Sequence, residues 1–361
     1  MTNAVNSLAI ACIISARGLA AIQNGSTFLF RDLKKVSPKA RWGFWVFPKI
    51  DYSAFLLVPL SCDVVIEPIL SVKIWYKIKR INYIMTQSIN SLAQIAQKYD
   101  AIVFDQWGVL HDGSCAYAGA IDCLVGLAKA GHSLFVLSNS GKRAAPNAKR
   151  IADMGFSNGL FNQIMTSGEA LWHDIDQGKI AQSNFFAIER EQGDALAWAE
   201  GLRIELTELH NAQAVLLMGL PDATKLADWQ PVLDQAFAAD LPIYCSNPDQ
   251  HSPRADGLVI SAGALARAYS QRSGRVIYYG KPHRPVFQAL STSLQAQRFL
   301  MVGDSLEHDI AGAQAVGWDS VLIQKGLYAS AFSNADHDVV LKTLLKDLAC
   351  QPPTYSIKQL Q

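Results

Sequence analysis

The stretch that most constrains this chain is Ala101-Ile102-Val103-Phe104-Asp105, followed by a turn bounded by Gly108 and Gly113. Four apolar residues deliver one carboxylate. A short apolar run without polar alternation is the pattern of a strand buried on both faces, and such strands belong to parallel sheets covered by helices. An acid at the carboxyl end of such a strand stands where open α/β sheets bind their ligands. Asp105 is therefore a candidate for chemistry, set against the plainer reading that it only caps the turn after it.

The text around this stretch is regular. Residues 91–99 predict a short helix with Leu92, Ile95 and Ala96 on one face, and residues 118–130 predict a second, closed by Gly131 as a left-handed cap. Residues 133–138 form another apolar run, ending in Ser138-Asn139-Ser140-Gly141. Pro146 opens a helix that Gly155 ends, residues 163–165 make a third strand, and Thr166-Ser167-Gly168-Glu169 reads as a capping box. Between about Gly178 and Ala264 the alternation continues through strands at 185–188, 214–218 and 241–245, read as an inserted smaller α/β domain. The chain then returns through strands before Gly280-Lys281-Pro282, at 298–302 before Gly303-Asp304-Ser305, and at 320–323. The expected fold class is α/β, a doubly wound parallel sheet with an inserted smaller domain. Residues 85–178 and 265–350 are expected to form the main domain and 179–264 the inserted one.

Residues 1–84 differ in character. They carry 11 Lys or Arg against 4 Asp or Glu, whereas the remaining residues carry 21 against 27. Pro38, Pro48, Pro59 and Pro68 interrupt every apolar run there, and Arg41-Trp42-Gly43-Phe44-Trp45 lacks the amphipathic order of a membrane-surface or nucleic-acid arm. Weak order outside the fold is expected, with Met85-Thr86-Gln87-Ser88 as a natural start. No apolar run approaches the roughly 20 residues of a membrane span, and residues 8–16 resemble a signal core without the preceding positive charge. The six cysteines are scattered without C-x-x-C spacing, which suits free thiols in a reducing compartment. A cytoplasmic protein without nucleic-acid or membrane partners is expected, a homodimer being open.

Four strand ends now offer a carboxylate (Asp105), a hydroxyl with an adjacent amide (Ser138, Asn139), an ammonium (Lys281) and two carboxylates (Asp304, Asp309). In a doubly wound sheet these converge on one edge. The set suits phosphoryl transfer, which needs a nucleophile in line with the leaving oxygen and hydrogen-bonding or cationic partners for the others. Mg²⁺ fits two carboxylates beside an anionic substrate. Each piece alone has a plainer reading: Asp304 as a helix cap, Asp309 as a partner of the helix dipole, Lys281 as a solvated turn residue.

Asp105 with Gly108-Val109-Leu110, Ser138-Asn139, Gly280-Lys281-Pro282 and Gly303-Asp304-Ser305 through Asp309 resemble the four ordered motifs of the haloacid dehalogenase superfamily. The insertion holding Asn247-Pro248-Asp249 is similar to class IIA members, the NagD and p-nitrophenyl-phosphatase group. The resemblance covers about residues 90–330. It implies a Mg²⁺-dependent phosphatase of a small phosphorylated metabolite, with Asp105 as nucleophile forming an aspartyl-phosphate. It implies that Ser138 and Lys281 bind phosphate with Asn139 beside them, and that Asp105, Asp304 and the main-chain oxygen of Trp107 hold the metal with Asp309 in support. The insertion would be a cap supplying substrate contacts, with Asn247, Ser246, Asp249 and Arg254 as candidates, set against the plainer reading that Asn247-Pro248-Asp249 is a turn.

One departure stands out. The family's phosphatases carry an aspartate two residues after the nucleophile, which protonates the leaving group; here that residue is Trp107. Indole cannot exchange the proton, and general acid–base help is worth roughly 10²–10⁴-fold. His111 and His283 are the nearby substitutes, and aryl or acyl phosphates would need the acid least. Two other readings stay open: a phosphate-binding or regulatory protein with little turnover, and carbon–halogen chemistry, against which the retained Asp304 and Asp309 count.

Overall fold

A computed structural model of the chain describes residues 86–254, 257–333 and 335–361, apart from the side chains of 253 and 254, together with the backbone of five strands before residue 60. Those strands pair antiparallel: Ala11–Ser15 with Gly18–Gln23, the latter with Ser26–Phe30, and Trp42–Trp45 with Leu56–Pro59. They belong to a unit spanning Met1–Lys79. The rest of the expectation for residues 1–84 lies outside the described residues.

The second unit, Arg80–Gln361, is built on a seven-stranded sheet. Its strands lie in the order Gln87–Ser88, Tyr355–Ile357, Asp319–Ile323, Phe299–Gly303, Ala101–Phe104, Leu134–Ser138, Gln163–Thr166, and every pairing is parallel. Alternate residues of one strand feed different cores. Ile102, Phe104, Val136, Leu300 and Val302 pack with Leu92, Leu124 and Leu127 on one face. Ala101, Val103, Phe135, Leu137 and Met301 pack with Leu171, Phe287 and Leu290 on the other. Two buried faces explain why these strands read as unbroken apolar runs.

A second parallel sheet has five strands, in the order Glu205–Leu206, Asn184–Ile188, Ala214–Leu217, Ile243–Cys245, Val276–Tyr278. Here the structure corrects the reading. Val276–Tyr278 was expected to return to the main sheet, but it pairs with Ile243–Cys245 as an edge strand of the smaller one. Three half-buried residues at a sheet edge carry no sequence mark of which sheet they join. The helix Ala262–Gln271 packs Leu265, Ala266 and Tyr269 into the same small core.

Smaller differences have local causes. The expected helix at 91–99 is two 3₁₀ turns, Leu92–Gln94 and Ala96–Lys98, broken at Ile95, although Leu92, Ile95 and Ala96 are buried as expected. Thr166 does cap the helix Ser167–Asp176 by accepting from the Glu169 N–H at 2.9 Å. The reciprocal half of the box is missing because the Glu169 carboxylate instead takes a bidentate pair from Arg143, at 2.7 and 3.0 Å. Gly131 and Gly155 adopt the left-handed conformation expected of helix-ending residues. Among the described residues no helix is long and apolar enough to cross a membrane.

Candidate active site

Parallel pairing fixes where the strand ends meet. Phe104 lies opposite both Val302 and Val136, so Asp105 follows in step with Gly303 on one side and Leu137 on the other. Asp304 and Ser138 each come one residue later. Adjacent strands lie about 4.8 Å apart, so three neighbouring strands present Asp304, Asp105 and Ser138 along one edge. The Asp105 N–H completes the ladder by donating to the Val302 carbonyl at 2.9 Å.

Lys281 arrives from the smaller sheet, on the loop after Val276–Tyr278. Its ammonium donates to Asp105 Oδ1 at 2.6 Å and to Asp309 Oδ1 at 2.7 Å, and its side chain is 3% exposed. Asp309 is fully buried, and its second oxygen accepts from the N–H groups of Asp304 and Ser305, both at 3.1 Å. It therefore ties the ammonium to the loop that carries Asp304. This loop enters the helix Ala311–Val316 through a π-helical turn, Leu306–Ile310, whose first turn is capped by Ser305 Oγ accepting from His308 N–H. Such turns gather at functional sites, and Gly317 ends the helix in the left-handed conformation.

Close packing explains two glycines. Gly108 has φ +79°, and a Cβ there would stand 1.7 Å from Asp304 Oδ2. A Cβ on Gly303 would stand 2.2 Å from the Asp309 Cβ. The turn after Asp105 and the strand before Asp304 are both pressed against carboxylates.

One carboxylate oxygen from each of Asp105, Asp304 and Asp309 lies within 4.8 Å of the others. With Lys281 as the cation in their midst, the ionised set carries two excess negative charges. Burial, opposed by Lys281 and reinforced by Asp309, pushes the Asp105 carboxyl up to about 7. Burial and the charges of Asp105 and Asp309 raise Asp304 well above the usual carboxylate range. Lys281 is driven upward by its two carboxylate partners, which outweigh its burial. A hard divalent cation matches this donor set in ligand type and in charge. The main-chain oxygen of Trp107 belongs to the same turn as Gly108.

The remaining expected residues divide. Ser138 is buried, its Oγ accepting from the Ser140 N–H at 3.3 Å. Asn139 is fully engaged in holding loops together. Its Oδ1 accepts from Lys281 N–H at 2.6 Å, while its Nδ2 donates to Asp249 Oδ1 at 2.7 Å and to the Lys281 carbonyl at 3.3 Å. Asn247 is occupied in its own turn, accepting from Asp249 N–H at 3.2 Å and donating to Ser261 Oγ at 3.4 Å. The side chain of Arg254 lies outside the described residues. Sequence reasoning missed Leu327, whose N–H donates to Asp304 Oδ2 at 2.8 Å. The only sequence signal was Gly326, in the loop after Asp319–Ile323.

The two histidines proposed as substitutes for the acid are each held by local contacts. His111 is 1% exposed, and its Nδ1 accepts from the Gly113 N–H at 3.0 Å. Burial and the nearby Arg150 push it down to about 4, so it is neutral at neutral pH. Its Nε2 and the Nε2 of Gln106 are buried without protein partners. His283 lies flat on Tyr278, rings 4.4 Å apart, and is lowered first by burial and then by His308.

With this geometry in place, the chain can be set beside known proteins. A family model described as haloacid dehalogenase-like hydrolase matches residues 102–203, and a second HAD-like hydrolase model matches residues 278–347. Chronophin from Bos taurus is 28% identical over 278 residues, covering 72% of this chain and 94% of that protein. D-glycerol 3-phosphate phosphatase from Mycobacterium tuberculosis is 24% identical over 241 residues, covering 65% and 66%. Among solved structures, a haloacid dehalogenase-like family hydrolase from Brucella suis 1330 superposes with a TM-score of 0.64 at 28% identity. It spans 76% of this chain and all of that one.

Proposed function

Because this chain belongs to the haloacid dehalogenase superfamily, we propose that it is a phosphatase that passes the phosphoryl group of a small substrate to Asp105 and then to water. The observation that carries the reading is the Lys281 ammonium held between Asp105 and Asp309 at 2.6 and 2.7 Å, beside Asp304. One cation is thereby fixed against the nucleophile before any substrate arrives, as electrostatic preorganisation requires. An Asp105 oxygen attacks phosphorus, the bond to the leaving oxygen breaks, and that oxygen departs with the bonding pair. Water then attacks the aspartyl-phosphate, releasing inorganic phosphate and restoring the carboxylate.

In this reading Lys281 and Ser138 hold the non-bridging oxygens, while Asn139 keeps Lys281 in place through its main chain. Asp105, Asp304 and the Trp107 carbonyl would hold Mg²⁺, with Asp309 steadying both Lys281 and the Asp304 loop. When bound, the ion supplies positive charge that offsets the carboxylates and draws electron density from the phosphoryl group. The smaller sheet with its loops acts as a cap over the site, and Lys281, coming from that sheet's edge, links cap to nucleophile.

The test is release of phosphate from an aryl phosphate with and without Mg²⁺. The reading predicts metal-dependent turnover abolished by Asp105→Asn. Trp107 in place of an acid favours a second reading, a phosphate-binding protein that turns over little. Saturable binding of phosphate without hydrolysis of any phosphate ester would establish that alternative instead.

A further inference from the structure

The turn that carries the nucleophile also carries the least expected exposed side chain near the site. Trp107 is 39% exposed, although it lies two residues after Asp105 and directly before Gly108, which abuts Asp304. Its ring is held in place. It meets the buried His111 edge to face at 5.8 Å, and it lies so close to Gly113 that a Cβ there would be 2.3 Å from a ring atom. The Arg150 guanidinium stands 5.9 Å from the ring and donates to the Gly113 carbonyl at 3.2 Å. Two further apolar side chains are exposed around the same carboxylates. Tyr117 is 37% exposed with its phenol within the electrostatic reach of Asp304, and Leu327, whose N–H binds Asp304, is 62% exposed.

We propose that Trp107, with Tyr117 and Leu327 as further exposed side chains around Asp304, is a platform that selects substrates whose leaving group is a flat aromatic alcohol. This rests on the phosphatase reading above and names its substrate class. A polyol would surrender water to a rim that is mostly apolar surface and would leave some of its hydroxyls unpaired, which is costly. An aromatic ring gains stacking area, and a partner already fixed in orientation loses little conformational freedom on binding. The chemistry points the same way. Phenols ionise near pH 10, whereas an aliphatic alcohol, like water, holds its proton to about 16, so an aryl oxide departs with its electron pair and takes its proton from solvent. The platform therefore stands where a proton donor is not required.

The experiment compares phenyl phosphate with glycerol phosphate under saturating Mg²⁺ for the native chain, Trp107→Ala, Trp107→Phe, Trp107→Asp and Asp105→Asn. Binding of phenylphosphonate and methylphosphonate to each folded variant is measured in parallel. The native enzyme is expected to favour the aryl ester by about 10²-fold or more in kcat/KM. Trp107→Ala is expected to weaken phenylphosphonate about three- to tenfold more than methylphosphonate, and Trp107→Phe to restore most of that difference. Trp107→Asp is expected to gain glycerol phosphate turnover. Equal native turnover of the two esters, or unchanged phenylphosphonate binding in Trp107→Ala, overturns the platform. If Trp107→Ala fails to fold, Trp107→Leu is read in its place: weakened phenylphosphonate binding is expected there too, and unchanged binding overturns the platform. Hydrolysis that survives Asp105→Asn overturns the phosphatase reading instead, so the two failures are distinct.

Discussion

Lys281 is the residue on which the site's charge balance turns. Removing it leaves Asp105, Asp304 and the fully buried Asp309 without their cation, and breaking a buried pair in this way costs about 3–5 kcal/mol. Lys281→Met should therefore lower the stability of the metal-free protein by that amount, read from denaturant midpoints; a change below about 0.5 kcal/mol would contradict the geometry. Asp105 supplies a pH test. Its carboxyl is raised to about 7 by burial and by Asp309, so between about pH 4 and 7 the folded metal-free chain holds a proton that the unfolded chain releases. Stability from this group is full below pH 4 and is lost as pH rises toward 7. Mg²⁺ competes with that proton, so the rise in Tm on adding Mg²⁺ should be larger at pH 8 than at pH 5.5. A gain that shrinks with rising pH would refute the assignment. At this scale much was legible: a lone acid after four apolar residues, and a tryptophan where an acid was expected. The role of Asn139 was not, because its partners Asp249 and Lys281 lie 110 and 142 residues away and only the folded loops bring them together.

At the scale of the element, the turn after Asp105 is shaped by what presses on it. Gly108→Ala would force a Cβ into Asp304 at a left-handed backbone position, and a loss of more than 1 kcal/mol together with weaker Mg²⁺ binding is expected by thermal shift. A fully stable, metal-responsive Gly108→Ala would show that the contact gives way at no cost. The strands of the main sheet were readable because burial on both faces removes polar alternation. Val276–Tyr278 was misplaced because an edge strand's partner is a matter of tertiary geometry, and no residue in it says which sheet it joins. The reciprocal half of the capping box at Glu169 failed for a similar reason: Arg143 was the stronger claimant for the carboxylate, and its proximity is set by folding.

On the scale of the whole molecule, the sheet ends where Gln87–Ser88 pairs with Tyr355–Ile357, and Ile89 beside it is buried. We propose that the catalytic unit begins there, following the change of composition near Met85. A chain beginning at Met85 should keep the Tm and activity of the full chain, whereas one beginning at Leu92 should lose stability by unpairing the Tyr355–Ile357 edge and removing the buried Ile89. Loss of folding in the chain that begins at Met85 would assign the first 84 residues a structural part in the unit. The central claim concerns the bond formed at Asp105. It is tested most directly by quenching turnover of an aryl phosphate in acid and mapping the phosphoryl group by peptide mass spectrometry. The account predicts one phosphoryl group on the peptide containing Asp105, absent from Asp105→Asn; steady release of phosphate with that peptide never labelled would contradict it.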